Sequence, residues 1–455
     1  MKYDIAVIGG GPGGYTAAAA GAAEGMSVIL FEKDSLGGTC LNRGCMPTKA
    51  LIHAAELYSQ MKSASAYGLS ADSVSYDMAA IHARKSEVVA QLCKNVESMM
   101  KKSGVTVVKG EAHVPEKGRV ECGGEIYEAE NIMIASGSKT SVLPVTGADA
   151  EGVFTSSDLL EGDAGSKDFK SLIIIGGGVI GVEFASFYQP LGCSVTIVEA
   201  ADRILPEVDR EISQRLSMYF KKRGVSVNAG TRVKSIERSG DTVAVICENK
   251  KGEECRFEAE GVLMAAGRHA SAEGIFTGSY APEMINGAIE ADADGRSSRN
   301  ELYVIGDAKY GNIQLAHMAE AQAKNAVAVI AGKKPPVDTS LVPVCIYASP
   351  EIAYIGLSEP EAKAQGIAVK CGKFLTGANG KCLVENAESG YVKLVSSADT
   401  GKLLGAQLVC PRATDLVAEL AAAIKRGMTA AELASVIHPH PTFSEMIRGA
   451  AEALL

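Results

Sequence analysis

The chain carries the same unit twice: YDIAVIGGGPGGYTAA from Tyr3 and SLIIIGGGVIGVEFAS from Ser171. Each copy reads as a buried β-branched strand, a glycine-rich turn and a small-residue helix, and a second strand ending in an acid follows. The spacing G-x-G-x-x-G recurs at Gly9, Gly11, Gly14 and at Gly176, Gly178, Gly181. The first glycine of such a set permits a tight turn, the second lets backbone approach a pyrophosphate, and the third lets helix pack on strand. The two first glycines stand 167 residues apart, far beyond the period of about 50 residues that a solenoid would show. The repeat is therefore a duplicated domain. In both copies the acid, Glu32 or Glu199, follows the first glycine by 23 residues, where a carboxylate meets a ribose hydroxyl. At Glu199 the charge also selects, because it accepts the 2′-hydroxyl of NAD and repels the 2′-phosphate of NADP. Arg203 is the one cation close by.

At 455 residues the chain exceeds what one hydrophobic core organises, so several packed units are expected. Between the repeats, residues 48–102 read as helix, short strands follow, and a link with Pro and Gly spans residues 142–152. After the second repeat a run of strands over residues 225–258 leads to GVLMAAGR and then ELYVIGD, which ends at Asp307; KKPPVDTS at residues 333–340 is the last linker. Beyond it, strands alternate with turns before a helix whose stripe is Leu416, Leu420 and Ile424. The expected class is α/β, with two Rossmann-like dinucleotide-binding domains and a C-terminal α+β unit that lacks any phosphate-loop signal.

A net charge of −9, from 45 basic and 54 acidic residues, leaves no electrostatic footprint for nucleic acid. No apolar run reaches the roughly 20 residues that span a bilayer, and the N-terminus passes into a strand without a basic-then-apolar leader. A soluble, cytoplasmic protein is expected. The eleven cysteines are an odd number in a long chain, which argues for a reducing compartment and against a secreted disulfide framework. Cys93, Cys122, Cys193, Cys247, Cys255, Cys345, Cys371, Cys382 and Cys410 show no metal spacing and read as small buried hydrophobes; no metal site is expected. Cys40 and Cys45 differ. They lie five residues apart in GGTCLNRGCMPTK, directly after the first repeat and at the start of a predicted helix, whose N-terminus would favour a thiolate.

That segment resembles the redox-disulfide signature of the class I pyridine nucleotide-disulfide oxidoreductases, and within them most closely the dihydrolipoamide dehydrogenases. The resemblance extends over nearly the whole chain, through the loops at Gly9 and Gly176, ELYVIGDA, LAHMAEAQA at Leu315 and HPHPTFSE at His438. It implies an FAD-binding part at residues 1–145, an NAD-binding domain at 146–266, a second FAD or central part at 267–335, and a dimerisation domain at 336–455. FAD would be non-covalent. It further implies that Cys45 faces the flavin and Cys40 exchanges with substrate, with Lys49 near the flavin and paired with Glu183. Asp307 would bind the ribityl chain, Ala112 and Ala316 would offer backbone contacts, and Val233 and Gly267 would line the NAD cleft. His440 would be the acid/base and Glu445 the carboxylate that orients it, while His438 reads as structural. A dithiol must lose protons before it can act as a nucleophile, and His440 is the motif histidine placed to take them.

The implied reaction is oxidation of a dihydrolipoyl group on a carrier protein of a 2-oxo-acid dehydrogenase or glycine-cleavage system. The implied assembly is a homodimer that receives this carrier from another chain. Three rivals remain. A glutathione-type reductase would want basic residues around position 199, a mercuric reductase a terminal cysteine pair where this chain has AAEALL, and a non-catalytic NADH sensor would not need Cys40, Cys45, His440 and Glu445 together. Departures from the family pattern are also expected to matter locally: Pro190 should end the second repeat's helix near Gln189, GRHAS lacks the usual Pro-Asn after Gly-Arg, and Arg43 between the cysteines would lower a thiolate's pKa.

Overall fold

The computed structural model describes residues 2–71 and 73–455. They form two compact units, one of residues 1–144, 153–168 and 263–339 and the other of residues 145–152, 169–262 and 340–455.

In the first unit, strand β1 (Lys2–Ile8) runs into helix α1 (Pro12–Ala23) and strand β2 (Val28–Glu32). The redox segment then forms the short helix α2 (Gly38–Arg43) and the longer α3 (Cys45–Lys62), which break at Gly44. Helix α4 (Met78–Lys102) follows, so the predicted helical stretch at 48–102 is two helices. The interruption has local causes: Gly68 takes φ +74° after a short 3-10 turn, and the Asp77 side chain caps α4 by accepting from the Ala80 N–H. Strands β3 (Thr106–Lys109), β4 (Ala112–Glu116), β5 (Arg119–Cys122) and β6 (Glu125–Ile134) complete a sheet ordered β3-β2-β1-β6-β5-β4. Its β3, β2, β1 and β6 members are parallel, and the returning strand Leu302–Val304 adds in parallel to β6. These strands read as near-continuous Val and Ile because both faces are covered.

The second unit repeats the parallel core with Ser171–Ile175, Ser194–Glu199 and Ser226–Ala229. The helix Val179–Tyr188 stops at its cap Gln189, directly before Pro190, as the sequence predicts. An antiparallel layer of Thr231–Ser239, Thr242–Asn249 and Glu254–Ala259 follows. The C-terminal part is a five-stranded antiparallel sheet whose core buries Leu394, Leu408, Val417, Leu420 and Ile447 against helices Ala413–Lys425 and Glu445–Glu452. Of the nine cysteines expected to be buried, Cys122, Cys193, Cys247, Cys382 and Cys410 are. Cys93, on helix α4, and Cys255 and Cys345, on strands, are half-buried, and Cys371, also on a strand, is exposed.

Candidate active site

Both glycine loops have the same geometry. Gly9 and Gly176 take φ +106° and +110°, a region that disfavours any side chain. A Cβ on Gly14 would stand 1.8 Å from the Gly9 carbonyl oxygen, and one on Gly181 2.0 Å from that of Gly176. Gly11 and Gly178 cap the two helices, whose open N–H groups and positive dipole ends favour a phosphate. The acids close each loop in the same way. Glu32 accepts from the N–H of Gly10 at 2.7 Å and of Asp34 at 2.8 Å, and Glu199 from those of Gly177 and Ala201, both at 2.6 Å. Arg203, the cation that would favour NADP, is tied to Pro206 O and Asp202.

Further groups in the first unit fit a dinucleotide with a polar tail. Ser136 Oγ, beside Gly9, is shut off from solvent with no hydrogen-bond partner among the described residues. Asp307 accepts from Ser138 Oγ at 2.6 Å, and Arg268 Nε donates to that same hydroxyl at 2.8 Å. Burial raises the Asp307 carboxyl, while the Ser138 hydrogen bond and the Arg268 charge pull it back. Ala316 is the first residue of the helix Ala316–Ile330, with its N–H open to a ligand, and Ala112 is buried at the start of β4.

Cys40 lies in α2 and Cys45 opens α3, so the break at Gly44 turns the two thiols together. The Cys40 thiol is held up by its hydrogen bond with Cys45 and by burial, while the Lys49 charge, one helical turn beyond Cys45, lowers it. Two adjacent thiols of this kind share their protons, and ionising one opposes ionising the other. The pair is anchored to the first glycine loop, because Gly38 packs so close that a Cβ there would stand 2.6 Å from Gly11 Cα. Arg43 pairs through its guanidinium with Asp34 and, at 3.2 Å, with Glu161. Arg268 is coupled to Cys45 and also approaches Thr39 Oγ1 at 3.4 Å.

Sequence reasoning missed Arg268, and it missed Tyr15 and Glu320 as well. Tyr15 is half-buried and electrostatically coupled to Glu320 and to both thiols, and its partial burial drives its hydroxyl well above the usual tyrosine range. Two signals were available: Tyr15 directly follows Gly14, and Glu320 lies one helical turn past Ala316.

In the second unit His440 Nδ1 meets Glu445 Oε1 at 3.0 Å and Oε2 at 3.2 Å. Glu445 also accepts from the Thr442 N–H at 2.9 Å. That backbone bond, then His440, hold its carboxyl below the ordinary range, so it stays charged and fixes one ring tautomer. The imidazole itself is 77% exposed and its other nitrogen is left to act on a solvent-side partner. His438 contrasts with it: the ring is buried, Nε2 is 2.9 Å from Glu419, and Nδ1 is 3.0 Å from Val436 O. Glu183 is 5% exposed and accepts from the Tyr347 N–H at 3.1 Å. Val233 lies on the strand Thr231–Ser239 at a register shift. Gly267, at φ +102° with open space where a Cβ would point, belongs to the first unit and Val233 to the second.

Comparison with known proteins identifies what this arrangement belongs to. Residues 3–323 match the model of the pyridine nucleotide-disulphide oxidoreductases, and residues 342–451 match the dimerisation domain of that family. The chain belongs to the pyridine nucleotide-disulphide oxidoreductases. Among curated relatives it is 38% identical to a dihydrolipoyl dehydrogenase of Bacillus subtilis, over 99% of this chain and 98% of that one. It is 40% identical to the dihydrolipoyl dehydrogenase of Chlorobaculum parvum, over 100% and 97%. Among solved structures, LpdA from Mycobacterium tuberculosis superimposes with a TM-score of 0.90 at 27% identity over 99% of this chain and 100% of that one. RclA from Escherichia coli, an HOCl-induced flavoprotein disulfide reductase, does so at 0.88 and 26%, over the full length of both. As an oxidoreductase of this family, the protein uses FAD and NAD. No helix among the described residues is long and apolar enough to cross a membrane.

Proposed function

We propose that the protein is a dihydrolipoyl dehydrogenase, which oxidises a protein-bound dihydrolipoyl group to its cyclic disulfide and passes the two electrons to NAD. The observation that carries the proposal is the thiol pair Cys40 and Cys45, electrostatically coupled across the break at Gly44 and packed through Gly38 onto the first glycine loop. His440, oriented by Glu445, accepts a proton from the substrate dithiol. The resulting thiolate attacks Cys40 of the oxidised pair, and the second substrate thiol displaces it, so that the lipoyl disulfide leaves and Cys40 and Cys45 become thiols. FAD, held by Gly9, Gly11, Gly14, Glu32, Asp307 and the backbone at Ala112 and Ala316, supplies the two-electron link between thiols and nicotinamide. Lys49 offers positive charge to the thiol pair. NAD is assigned to Gly176, Gly178, Gly181 and Glu199, with Val233 on the same unit.

In this reading residues 1–145 and 267–335 hold FAD, 146–266 hold NAD, and 336–455 make a two-fold contact between identical subunits. The dimerisation-domain match supports a homodimer. The lipoyl carrier is a separate protein of a 2-oxo-acid dehydrogenase or glycine-cleavage system, and the setting is cytoplasmic. Steady-state turnover tests the assignment: reduction of NAD by dihydrolipoamide should exceed oxidation of NADPH by glutathione disulfide by orders of magnitude, and the reverse preference would assign a glutathione-type reductase. Because Glu199 takes both N–H groups of its loop, Glu199→Arg should lower the NAD-to-NADP ratio of kcat/KM at least tenfold, about 1.4 kcal/mol. An unchanged ratio would remove Glu199 from nucleotide selection.

A further inference from the structure

The antiparallel layer of the second unit presents an inward ladder in which Val243 faces Ala259, Val245 faces Phe257 and Cys247 faces Cys255. The cysteines are the last inward rung before the turn at residues 249–253, and on the far side of Cys247 the register partner is Val233. Residues directly opposite in an antiparallel pair have Cα atoms about 4.5–5.5 Å apart, within the span that a disulfide bridges. The side chains also face each other, since opposite residues share a face of the sheet, and the Cys255 thiol lies close enough to raise the cost of ionising Cys247. Cys247 is wholly buried and also lies 3.9 Å from Val245 O, while Cys255 is half-buried at the hairpin end. One thiol is thus open to a reagent, with a second sealed behind it.

We propose that Cys247 and Cys255 are a second thiol–disulfide couple, separate from Cys40 and Cys45, which closes by exchange with small-molecule disulfides. Cys255, as thiolate, attacks one sulfur of the small disulfide and releases one thiol. The Cys247 thiol then attacks the Cys255 sulfur, the mixed disulfide breaks, and a second small thiol leaves with the proton of Cys247. Two protein thiols are oxidised and one small disulfide is reduced to two thiols. The second step is the slow one, because burial and the neighbouring Cys255 push the Cys247 thiol up to about 12 and little thiolate forms at neutral pH. A half-exposed bond of this kind would be reversible, in contrast to a sealed structural disulfide.

Tryptic cleavage separates the two cysteines into SGDTVAVICENK and GEECR, which makes the bond directly readable. The full-length flavoprotein is first reduced, then incubated with glutathione disulfide, alkylated, and digested without reduction. The joined peptides, two hydrogens lighter than their sum, should accumulate over time. They should persist in Cys45→Ser, vanish in Cys255→Ser, and separate again on adding dithiothreitol. Recovery of both peptides alkylated would overturn the proposal, and so would Cys255 carrying glutathione beside an alkylated Cys247. The wild-type protein alone distinguishes these outcomes, so a poorly folding variant would not obscure them.

Discussion

Replacing Cys45 by Ser should abolish dihydrolipoamide-driven reduction of NAD, by at least about a thousandfold, or roughly 4 kcal/mol in the barrier, while the protein retains FAD. Serine keeps the shape of the first turn of α3, where Cys45 sits, and leaves the Gly38–Gly11 packing untouched. What it removes is the sulfur that completes the disulfide, so substrate can no longer exchange into the pair. Cys40→Ser should be as inactive by another route, since the remaining Cys45 thiolate stays beside Lys49 and coupled to Arg268 and no longer shares a proton with a second thiol. That variant should show a long-wavelength charge-transfer band near neutral pH, and Cys45→Ser should not. A band in Cys45→Ser instead would reverse the order of the two thiols.

His440→Gln should cost about 10²–10⁴ in turnover, the usual worth of a placed acid/base, with FAD binding unchanged. The loss belongs to proton transfer, so it should be largest where dihydrolipoamide is fully protonated and shrink as pH rises towards the substrate's own thiol range. Glu445→Gln should be milder, because glutamine still accepts from the Thr442 N–H but no longer stabilises a charged ring. The carboxyl of Glu445 is depressed in the folded protein. Its contribution is therefore present above the ordinary carboxylate pKa of about 4.3 and is lost only as pH falls through the lower folded value. In the proposed dimer the exposed ring of His440 serves the cysteine pair of the other subunit. Mixing inactive Cys45→Ser and His440→Gln chains under conditions of subunit exchange should then restore activity towards half per mixed dimer, since one of its two sites carries neither defect. Mixed dimers verified by mass but inactive would mean that each histidine serves its own chain.

The parts of this architecture that are written locally were legible in the sequence. Gly9 and Gly176 need positive φ, Gly14 and Gly181 have no room for a Cβ, and such demands leave glycines at fixed spacing. The acids at 32 and 199 and the end of the helix before Pro190 are of the same local kind. The division of residues 48–102 was not visible, because one glycine at 68 and one cap at Asp77 outweighed a continuous helical composition. The ion pairs of Arg43 with Asp34 and Glu161 were not visible either, because proximity in sequence to the cysteines says nothing about them. Arg268, Tyr15 and Glu320 join the thiols only through the tertiary fold, from stretches far apart along the chain. The opposition of Cys247 and Cys255 depends on hairpin register, which composition does not specify.

The most direct test of the electron path is anaerobic reduction of the purified flavoprotein with one equivalent of dihydrolipoamide, followed by NAD, with thiols counted at each stage. Two new protein thiols, mapped to Cys40 and Cys45, should appear with the substrate and disappear when NAD is added, with one equivalent of NADH formed. NADH formed at full rate by Cys45→Ser, or without these two thiols ever appearing, would contradict the account.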